Sequence, residues 1–412
     1  MTKFSSDRFP PGFFDLPQSA GETLPLDLIA EWTRSAQTRE VARAMLAQHV
    51  LRGIIVSSDS AGLTRLTRER PLIEILAMVS LPKELIHAHG RAIGGRGIGI
   101  WAADNTQMFY GASVAPARVV AMLWTVLARI AEECEIGIGM AAHLGEFYEL
   151  GGGVYGPDAD RVETVAEEHT EGGELVITGE IHDALPAADG FITREREDLA
   201  PEFGRILRVQ GGPILHDLAA HDMAYPAPYP VGFSEGLANY TRTRRDSMAP
   251  RQAFQELAVV LIMREREEPD VPEVAVLNNL ALTAAMKRLG AALLAGVDGA
   301  EVKCAGLLSL YTFPDCRDAI AFARSVREAL MAQAIQCRIG IDVGPVLLFE
   351  LGAGSRDIAG SPVNVASKLA EDVGAFGRIQ MTDAVARRAG AKRERPTLEF
   401  TVSGIALRAY DV

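Results

Sequence analysis

Two stretches of this 412-residue chain repeat one pattern of polar residues and glycines. They read HLGEFYELGGGVYGPDADRVETVAEE at 143–168 and DVGPVLLFELG…IAGSPVNVASKLAED at 342–372. The equivalent positions lie 199, 204 and 203 residues apart, and they are His143 and Asp342, Gly156 and Gly360, and Ala103-Asp104 and Gly306-Leu307. Because these offsets agree within a few residues, the sequence predicts a tandem repeat of one folding unit.

Each repeat mixes strand and helix patterns in the same order. The first predicts a strand at 51–58, a helix at about 69–90, a hairpin at about 93–110, a helix at 113–133, a strand at 135–142, a helix at about 158–168 and a strand at 174–178. The second predicts a strand at 256–263, a helix at about 273–295, a hairpin at about 298–313, a helix at 315–335, then the repeated pattern and a closing hairpin within 399–412. This order predicts an α+β fold with a ferredoxin-like core, βααββαβ, in each repeat.

Composition suggests the domain boundaries. Residues 1–48 form an arm rich in Pro, Gly and Ser, followed by a helix with the apolar spacing of a capping or dimer-facing element. Prolines and arginines are concentrated at 211–252, which predicts a linker there. The two domains are therefore expected at 49–210 and 253–412.

Charge and hydropathy narrow the class of protein. Hydrophobic residues make up 48% of the chain, enough for sizeable cores, yet no apolar run reaches the roughly 18 residues that span a bilayer. We expect a soluble, cytoplasmic protein without membrane insertion. The net charge of −13 disfavours nucleic-acid binding but permits a nucleotide, which needs only local positive charge. The four cysteines lack CxxC spacing, which favours small buried apolar residues over metal ligands or disulfides.

The densest polar run is 337–369, CRIGIDVGPVLLFELGAGSRDIAGSPVNVASKL. In it Asp357 precedes a helix that presents Asn364 and Lys368 at i and i+4, on one face. The run resembles the second half of a class III nucleotidyl cyclase catalytic domain, whose helix reads VNxASR where this chain reads VNVASK. The resemblance implies two cyclase homology domains that pair head to tail within one chain, as a pseudo-heterodimer. Further self-association stays open.

The resemblance further implies composite sites, with metal ligands from one domain and base-recognition and transition-state groups from the other. In the first repeat Asp59 follows a β-branched strand, like the first aspartate of the family's D-I-V-G-F-T, and Asp104 matches the aspartate of its Gly-Asp hairpin tip. Two carboxylates suit two Mg²⁺ or Mn²⁺ ions, hard cations that prefer oxygen ligands. Alternatively, Asp59 only caps the following turn and Asp104 only makes the hairpin turn.

The first repeat lacks the other half of such a site. Asp160 and Thr164 stand where the family has the helix asparagine and arginine, and the loop before this helix is shortened. Gly139 stands where the family has an arginine before the His143 strand, which weakens phosphate binding.

The second repeat lacks the metal ligands. Its first metal position falls at Arg264 or Glu265, depending on the register, and its second at Leu307. Leucine cannot bind a metal ion, so this repeat is expected to supply only the recognition groups.

Those groups are present. Lys303 matches the family's Lys-x-x-Gly lysine and Asp357 matches its partner acid, and in adenylate-specific members this pair reads the purine. An ammonium donates to adenine N1 and a carboxylate accepts from the N6 amine, whereas guanine reverses both demands. Alternatively, Lys303 is a snorkelling strand lysine and Asp357 is a loop acid that is solvated or paired with Arg356. Asn364 would orient the ribose, or simply cap the helix.

The resemblance and these residues predict an adenylate cyclase that converts ATP to 3′,5′-cyclic AMP and pyrophosphate at one composite site by a two-metal mechanism. Lys368 would face the α-phosphate as a point charge without arginine's bidentate fork. The alternative is a catalytically inactive, cyclase-like protein that binds nucleotide and serves as a regulatory or scaffold subunit. Lys368 and Gly139 favour this alternative, while Asp59 and Asp104 favour the enzyme. A guanylate cyclase ranks third.

Overall fold

The computed structural model describes residues 24–61, 70, 72–99, 101, 105–199, 201–216, 218, 233, 235–237, 239, 254–266, 271–350, 356–391, 396–402 and 405–412. The chain divides into two compact units. The first-repeat unit is Leu46–Pro250, and the second-repeat unit comprises Met1–Met45 together with Arg251–Val412.

The first-repeat unit is built around one mixed eight-stranded sheet. Its strands are β1 (Val50–Ser60), β2 (Arg96–Gly97), β3 (Thr106–Gly111), β4 (Ile138–Leu150), β5 (Gly153–Tyr155), β6 (Leu175–Thr178), β7 (Ile192–Glu195) and β8 (Ile206–Gly211). They are ordered β2-β3-β1-β4-β6-β8-β7, and β5 pairs with β4 outside this path. Helices α3 (Leu72–Ala92), α4 (Pro116–Glu133), α5 (Pro157–His169) and α6 (Gly179–Asp183) connect them, with short 3₁₀ turns at Ala47–His49, Ala187–Asp189 and Pro201–Phe203.

The second-repeat unit has the same topology. Its strands are β9 (Gln255–Arg264), β10 (Ala300–Ala305), β11 (Leu308–Phe313), β12 (Cys337–Glu350), β13 (Arg356–Ala359), β14 (Ile379–Thr382), β15 (Leu398–Val402) and β16 (Ile405–Asp411). The order is β10-β11-β9-β12-β14-β16-β15, with β13 paired to β12. Its helices are α1 (Leu26–Arg34), α2 (Arg39–Leu46), α7 (Pro272–Leu294), α8 (Cys316–Ala332), α9 (Ser361–Lys368) and α10 (Asp383–Ala389), and a π-helical turn at Leu369–Val373 continues α9. The predicted α+β class with two similar halves is confirmed.

The central strand of each sheet is buried on both faces. In β1, Ile54 and Val56 pack into a cluster with α3 and α4, whereas Ile55 packs into a separate cluster with α5. Because successive side chains of a strand point to opposite faces, a run of β-branched residues can pack against helices on both faces of the sheet.

The N-terminal helices pack on the second repeat. Trp32 of α1 is fully buried, and its Nε1 donates to Asn278 Oδ1 of α7 at 3.0 Å. Arg43 of α2 pairs with Glu273 at the start of α7, with Nε and Oε1 2.6 Å apart. The capping element predicted at 25–48 therefore caps α7.

The predicted boundaries at 48, 210 and 252 stay predictions, because much of the 211–252 segment lies outside the described residues. Among the helices that the structure describes, none combines the length and the apolar character needed to cross a bilayer.

Candidate functional site

The helix α9 begins at a glycine that no other residue could replace without strain. Gly360 has φ 152°, and a Cβ there would lie 2.8 Å from the Pro345 carbonyl oxygen. Gly156 starts α5 of the first repeat in the same way, with φ 117°. Gly156 and Gly360 therefore allow the backbone of each repeat to turn from a hairpin into the following helix.

One face of α9 is buried against the sheet. Val365 and Ala366 are buried there, and Gly340 of β12 lies so close that a Cβ on it would meet the Ala366 carbonyl oxygen at 2.2 Å. Asn364 and Lys368 lie one turn apart on the half-buried part of the helix surface. The structure thus brings this predicted pair together on one face.

Lys368 is engaged within its own helix. Its ammonium forms an ion pair with Asp372, four residues on, in the π-helical turn. The two side chains are 38% and 49% exposed, so this is a surface pair. Such a pair stabilises by about 0.3–0.5 kcal/mol, so little free energy is needed to break it. Asp372 was not among the predicted site residues, although its i+4 spacing from Lys368 is visible in the sequence.

Lys303 and Asp357 lie on strands that touch. Lys303 is exposed on β10, Asp357 is half-buried on β13, and the two strands pack against each other. Their chain neighbours, Val302 and Ile358, belong to one apolar cluster. Asp357, expected in a loop, lies in a strand, and its Oδ1 accepts a hydrogen bond of 2.9 Å from the Ile358 amide.

Asp59 lies near the end of the central strand β1, in the first-repeat unit. It pairs with Gly139 of β4 and is half-buried. Its neighbour Ser58 is buried and shares a hydrogen bond of 2.5 Å with Thr106 of β3. Asp104 itself lies outside the described residues.

The chemistry of Asp59 fits one ligand of a hard divalent cation, because it supplies carboxylate oxygens at a strand end. Within the described ranges no three His, Cys, Asp or Glu side chains gather closely enough to hold a metal ion. The second predicted ligand, Asp104, is not among these described residues.

A matching hydrogen bond aligns the two repeats. His143 Nδ1 lies 3.0 Å from Thr178 Oγ1, and Thr382 Oγ1 donates to Asp342 Oδ1 at 2.6 Å. The sequence pair His143 and Asp342 thus occupies one structural position. Counting back four residues, Gly139 corresponds to Arg338.

This alignment corrects the predicted metal position of the second repeat. Asp59 pairs with Gly139, and Met263 pairs with Arg338, so Met263 stands where Asp59 stands. The prediction of Arg264 or Glu265 is wrong by one or two residues, because the strand pairing, not the sequence spacing, fixes the register. A thioether is a poor ligand for a hard cation, so the second repeat still lacks this ligand.

Arg264 has a structural role. Its side chain is buried and donates to Asn279 Oδ1 at 2.9 Å and to the Gly306 carbonyl at 3.1 Å. Its backbone N–H donates to the carbonyl of Leu307 at 3.0 Å. These bonds hold the β10–β11 turn to α7.

The helix α5 of the first repeat carries a charge network instead of recognition groups. Asp160 and Thr164 lie on it at the positions of Asn364 and Lys368. Arg161 Nη2 lies within 3.6 Å of both Asp158 and Glu180, and close to the buried ring of His143. Although burial alone would raise the pKa of Asp158, its hydrogen bond with His143 and the charge of Arg161 lower it.

Asp342 is a half-buried acid that the sequence marked only as the repeat equivalent of His143. Burial raises its pKa to about 6, and the Thr382 hydroxyl, the Val343 amide and the charge of Arg388 only partly oppose this. The carboxyl is therefore partly protonated in weakly acidic solution.

Comparisons with known proteins were made for sequence and for structure. No protein-family model and no curated protein matches the sequence. Among solved structures, a class III adenylyl cyclase-like ATP-binding protein from Pseudomonas aeruginosa matches with a TM-score of 0.54 and 12% identity, covering 82% of this chain and 85% of that one.

Single-domain structures match about two fifths of the chain. An adenylate/guanylate cyclase/hydrolase from Silicibacter pomeroyi is 24% identical, with a TM-score of 0.33, and covers 39% of this chain and 98% of that one. The adenylyl cyclase CyaB from P. aeruginosa is 16% identical, with a TM-score of 0.34, and covers 41% of this chain and 99% of that one. Given the match that spans both repeats and their shared strand order, the chain has the class III nucleotidyl cyclase fold, as two cyclase homology domains in tandem.

Proposed function

We propose that this protein is an adenylate cyclase that converts ATP to 3′,5′-cyclic AMP and pyrophosphate. Asp59 and Asp104 of the first repeat supply the metal ligands. Lys303 and Asp357 of the second repeat read the base. Asn364 acts on the ribose and Lys368 on the α-phosphate.

The observation that carries this proposal is the contact of β10 with β13, which brings Lys303 and Asp357 onto neighbouring strands. An ammonium beside a carboxylate offers one donor and one acceptor, which matches N1 and N6 of adenine. Guanine would leave both charged groups without a partner, and unsatisfied charged groups are heavily penalised. The pair therefore favours ATP over GTP.

The distribution of losses between the repeats also supports an enzyme. The first repeat retains Asp59 and has lost the helix groups, and the second retains the helix groups and has Met263 in place of Asp59. Scattered decay would remove members of both sets from both repeats. What remains amounts to one set of metal-binding and recognition groups, with Lys368 in place of the helix arginine and Gly139 in place of the arginine before the His143 strand.

Within this set, Asn364 would orient the substrate and Lys368 would stabilise the transition state. Asn364 would hold the ribose so that its 3′-hydroxyl lies in line with the α-phosphorus. Lys368 would leave Asp372 and meet the negative charge that builds on the α-phosphoryl oxygens, where a cation is most effective. Mg²⁺ or Mn²⁺, held by Asp59 and Asp104, would lower the pKa of the 3′-hydroxyl and neutralise the phosphates.

The experiment is cyclic AMP formation by the purified full chain with ATP and Mn²⁺. We expect slow but measurable turnover, and loss of at least about 100-fold in Asp59→Ala and in Asp104→Ala, because a broken ligand set disables a metal-assisted reaction. Asp160→Ala is the matched control, a carboxylate in the first repeat that the proposal places outside the working set. If Asp160→Ala is as damaging as Asp59→Ala, the assignment of groups to the two repeats is wrong.

A nucleotide-binding protein without activity is the second candidate. It is kept because Lys368 is held by Asp372, and because a match that spans both repeats is a class III adenylyl cyclase-like ATP-binding protein. ATP binding without cyclic AMP formation, in the wild type and in Lys368→Arg alike, would make this the function.

A further inference from the structure

Strand β10 departs from the alternation of a regular strand. Its pairing with β11 skips a residue: Glu301 pairs with Tyr311, and Lys303 pairs with Leu310. Val302 is the extra residue, so the strand carries a β-bulge there. Residues 301 and 303, which would share a face of a regular strand, therefore face opposite sides of the sheet.

The side chains around the bulge agree with this assignment. Glu301 forms an ion pair with Lys287 of α7, with Oε1 and Nζ 3.5 Å apart. Cys304, three residues on, also faces α7, because its Sγ lies 3.6 Å from the Thr283 carbonyl oxygen. Two anchors on one helix thus flank the bulge on one side of the sheet.

The opposite face of β10 carries Lys303. Val302 is buried in the apolar cluster that contains Leu310 and Ile358, and Lys303 shares that face because it pairs with Leu310. Ile358 is the chain neighbour of Asp357. Without the bulge, Lys303 would follow Glu301 toward α7, away from the strand that carries Asp357.

We infer that the bulge at Val302 and the Lys287–Glu301 ion pair are the devices that aim Lys303 at the base, which makes Lys287 and Glu301 positioning residues for nucleotide selection. The inference rests on the proposed base-reading role of Lys303. Neither positioning residue touches the nucleotide in this arrangement; both act by holding β10 in its bulged register.

The physical reason is the freedom of an exposed lysine. A free lysine side chain retains about 2 kcal/mol of rotamer entropy, so its selectivity depends on a backbone that limits where the ammonium can reach. The Lys287 and Glu301 side chains are only 23% and 21% exposed, so their pair is less screened than a surface pair and can hold the strand. Burial raises the pKa of Glu301, and the charge of Lys287 opposes that rise.

The test compares the ATP and GTP affinities of the full chain, measured by displacement of a fluorescent ATP analogue, so that it needs no turnover. We expect Lys287→Gln and Glu301→Gln to reduce the ATP-over-GTP preference by about fivefold to tenfold, the loss of one well-aimed charged hydrogen bond. The charge-exchanged double variant, Lys287→Glu with Glu301→Lys, should recover most of the preference. Glu399→Gln is the control, because it breaks the Arg408–Glu399 pair of the same unit on the β15–β16 hairpin.

Two outcomes would overturn the inference, and they are distinguishable. If Lys303→Ala lowers the preference and the Lys287 and Glu301 variants only shift the melting temperature, these two residues are structural and the proposed function stands. If Lys303→Ala leaves the preference at the wild-type value, the base-reading role itself fails, and the inference fails with it.

Discussion

At the scale of the residue, Lys368 decides between a slow enzyme and a binding protein. An arginine at such a position can contribute roughly 10³–10⁵ in rate to phosphoryl transfer, and lysine keeps the charge while losing the two-point geometry. We expect Lys368→Arg to raise turnover with little change in ATP affinity, and Lys368→Ala to lower turnover, as measured by steady-state cyclic AMP formation. A change confined to KM would place Lys368 in ground-state binding.

Removing Asp372, the ion-pair partner of Lys368, should change turnover less than Lys368→Ala does, and in the opposite direction. Asp372→Asn removes the competing carboxylate, and since an exposed i,i+4 pair stabilises by about 0.3–0.5 kcal/mol, turnover should rise by no more than about twofold. Glu371→Gln, one residue away, leaves the Lys368–Asp372 pair in place and is the control. A rise above about tenfold would mean that Asp372 is an inhibitory residue and not a weak surface partner.

Asp342 makes stability depend on pH. Its folded pKa of about 6 lies above the ordinary 3.8, so the folded state holds the proton more tightly than the unfolded state. The free energy of unfolding therefore falls by up to about 3 kcal/mol as the pH rises from about 4 to about 6, and it stays at the lower value above that range. Asp342→Asn, which can still accept from Thr382, should unfold at higher urea than the wild type at pH 7.5, with the difference shrinking toward pH 4. A difference that is constant with pH would contradict this.

At the scale of the element, the start of α9 depends on one glycine. Gly360→Ala combines an unfavourable φ with a Cβ 2.8 Å from the Pro345 carbonyl, so we expect a loss of about 2–3 kcal/mol in urea unfolding. Gly390→Ala is the control, because Gly390 also has a positive φ, 66°, but open space around it. Its loss should be about 1 kcal/mol. Equal losses at the two positions would mean that the steric contact does not matter.

Strand β10 illustrates what sequence patterns miss at this scale. The sequence predicts a hairpin at about 298–313, and the structure has β10 and β11 there, but a regular strand would place residues 301 and 303 on the same face. The bulge reverses that, because pairing with β11 and packing against α7 and β13 are tertiary contacts. The existence of an element is local information, and the direction of its side chains is not.

At the scale of the whole molecule, the second-repeat unit contains the chain segments that precede and follow the first repeat in sequence. Residues up to Met45 join Arg251–Val412, so the first repeat is inserted between α2 and β9.

Trp32→Ala should destabilise the second-repeat unit by about 3–5 kcal/mol, because a fully buried indole is removed from α7. Hydrogen exchange of the α7 amides measures the effect, and the exposed Glu31→Ala on the same helix should change it by less than about 0.5 kcal/mol. Similar exchange in the two variants would show that α1 does not support α7.

The sequence alone determined the tandem repeat and the α+β class, and its resemblance to class III cyclases predicted the fold. These rest on recurring offsets, on glycines such as Gly156 and Gly360 that only special backbone angles require, and on a long polar run around Asn364 and Lys368. All are local or periodic signals, which a chain carries without being folded.

The tertiary structure decided the rest. It placed α1 on α7, set Met263 and not Arg264 opposite Arg338, and turned Lys303 away from α7. Each of these depends on strand register or on packing between segments distant in sequence. A shift of one residue in register moves a side chain to the other face of a sheet, and only the pairing of strands, fixed by the whole core, chooses the register.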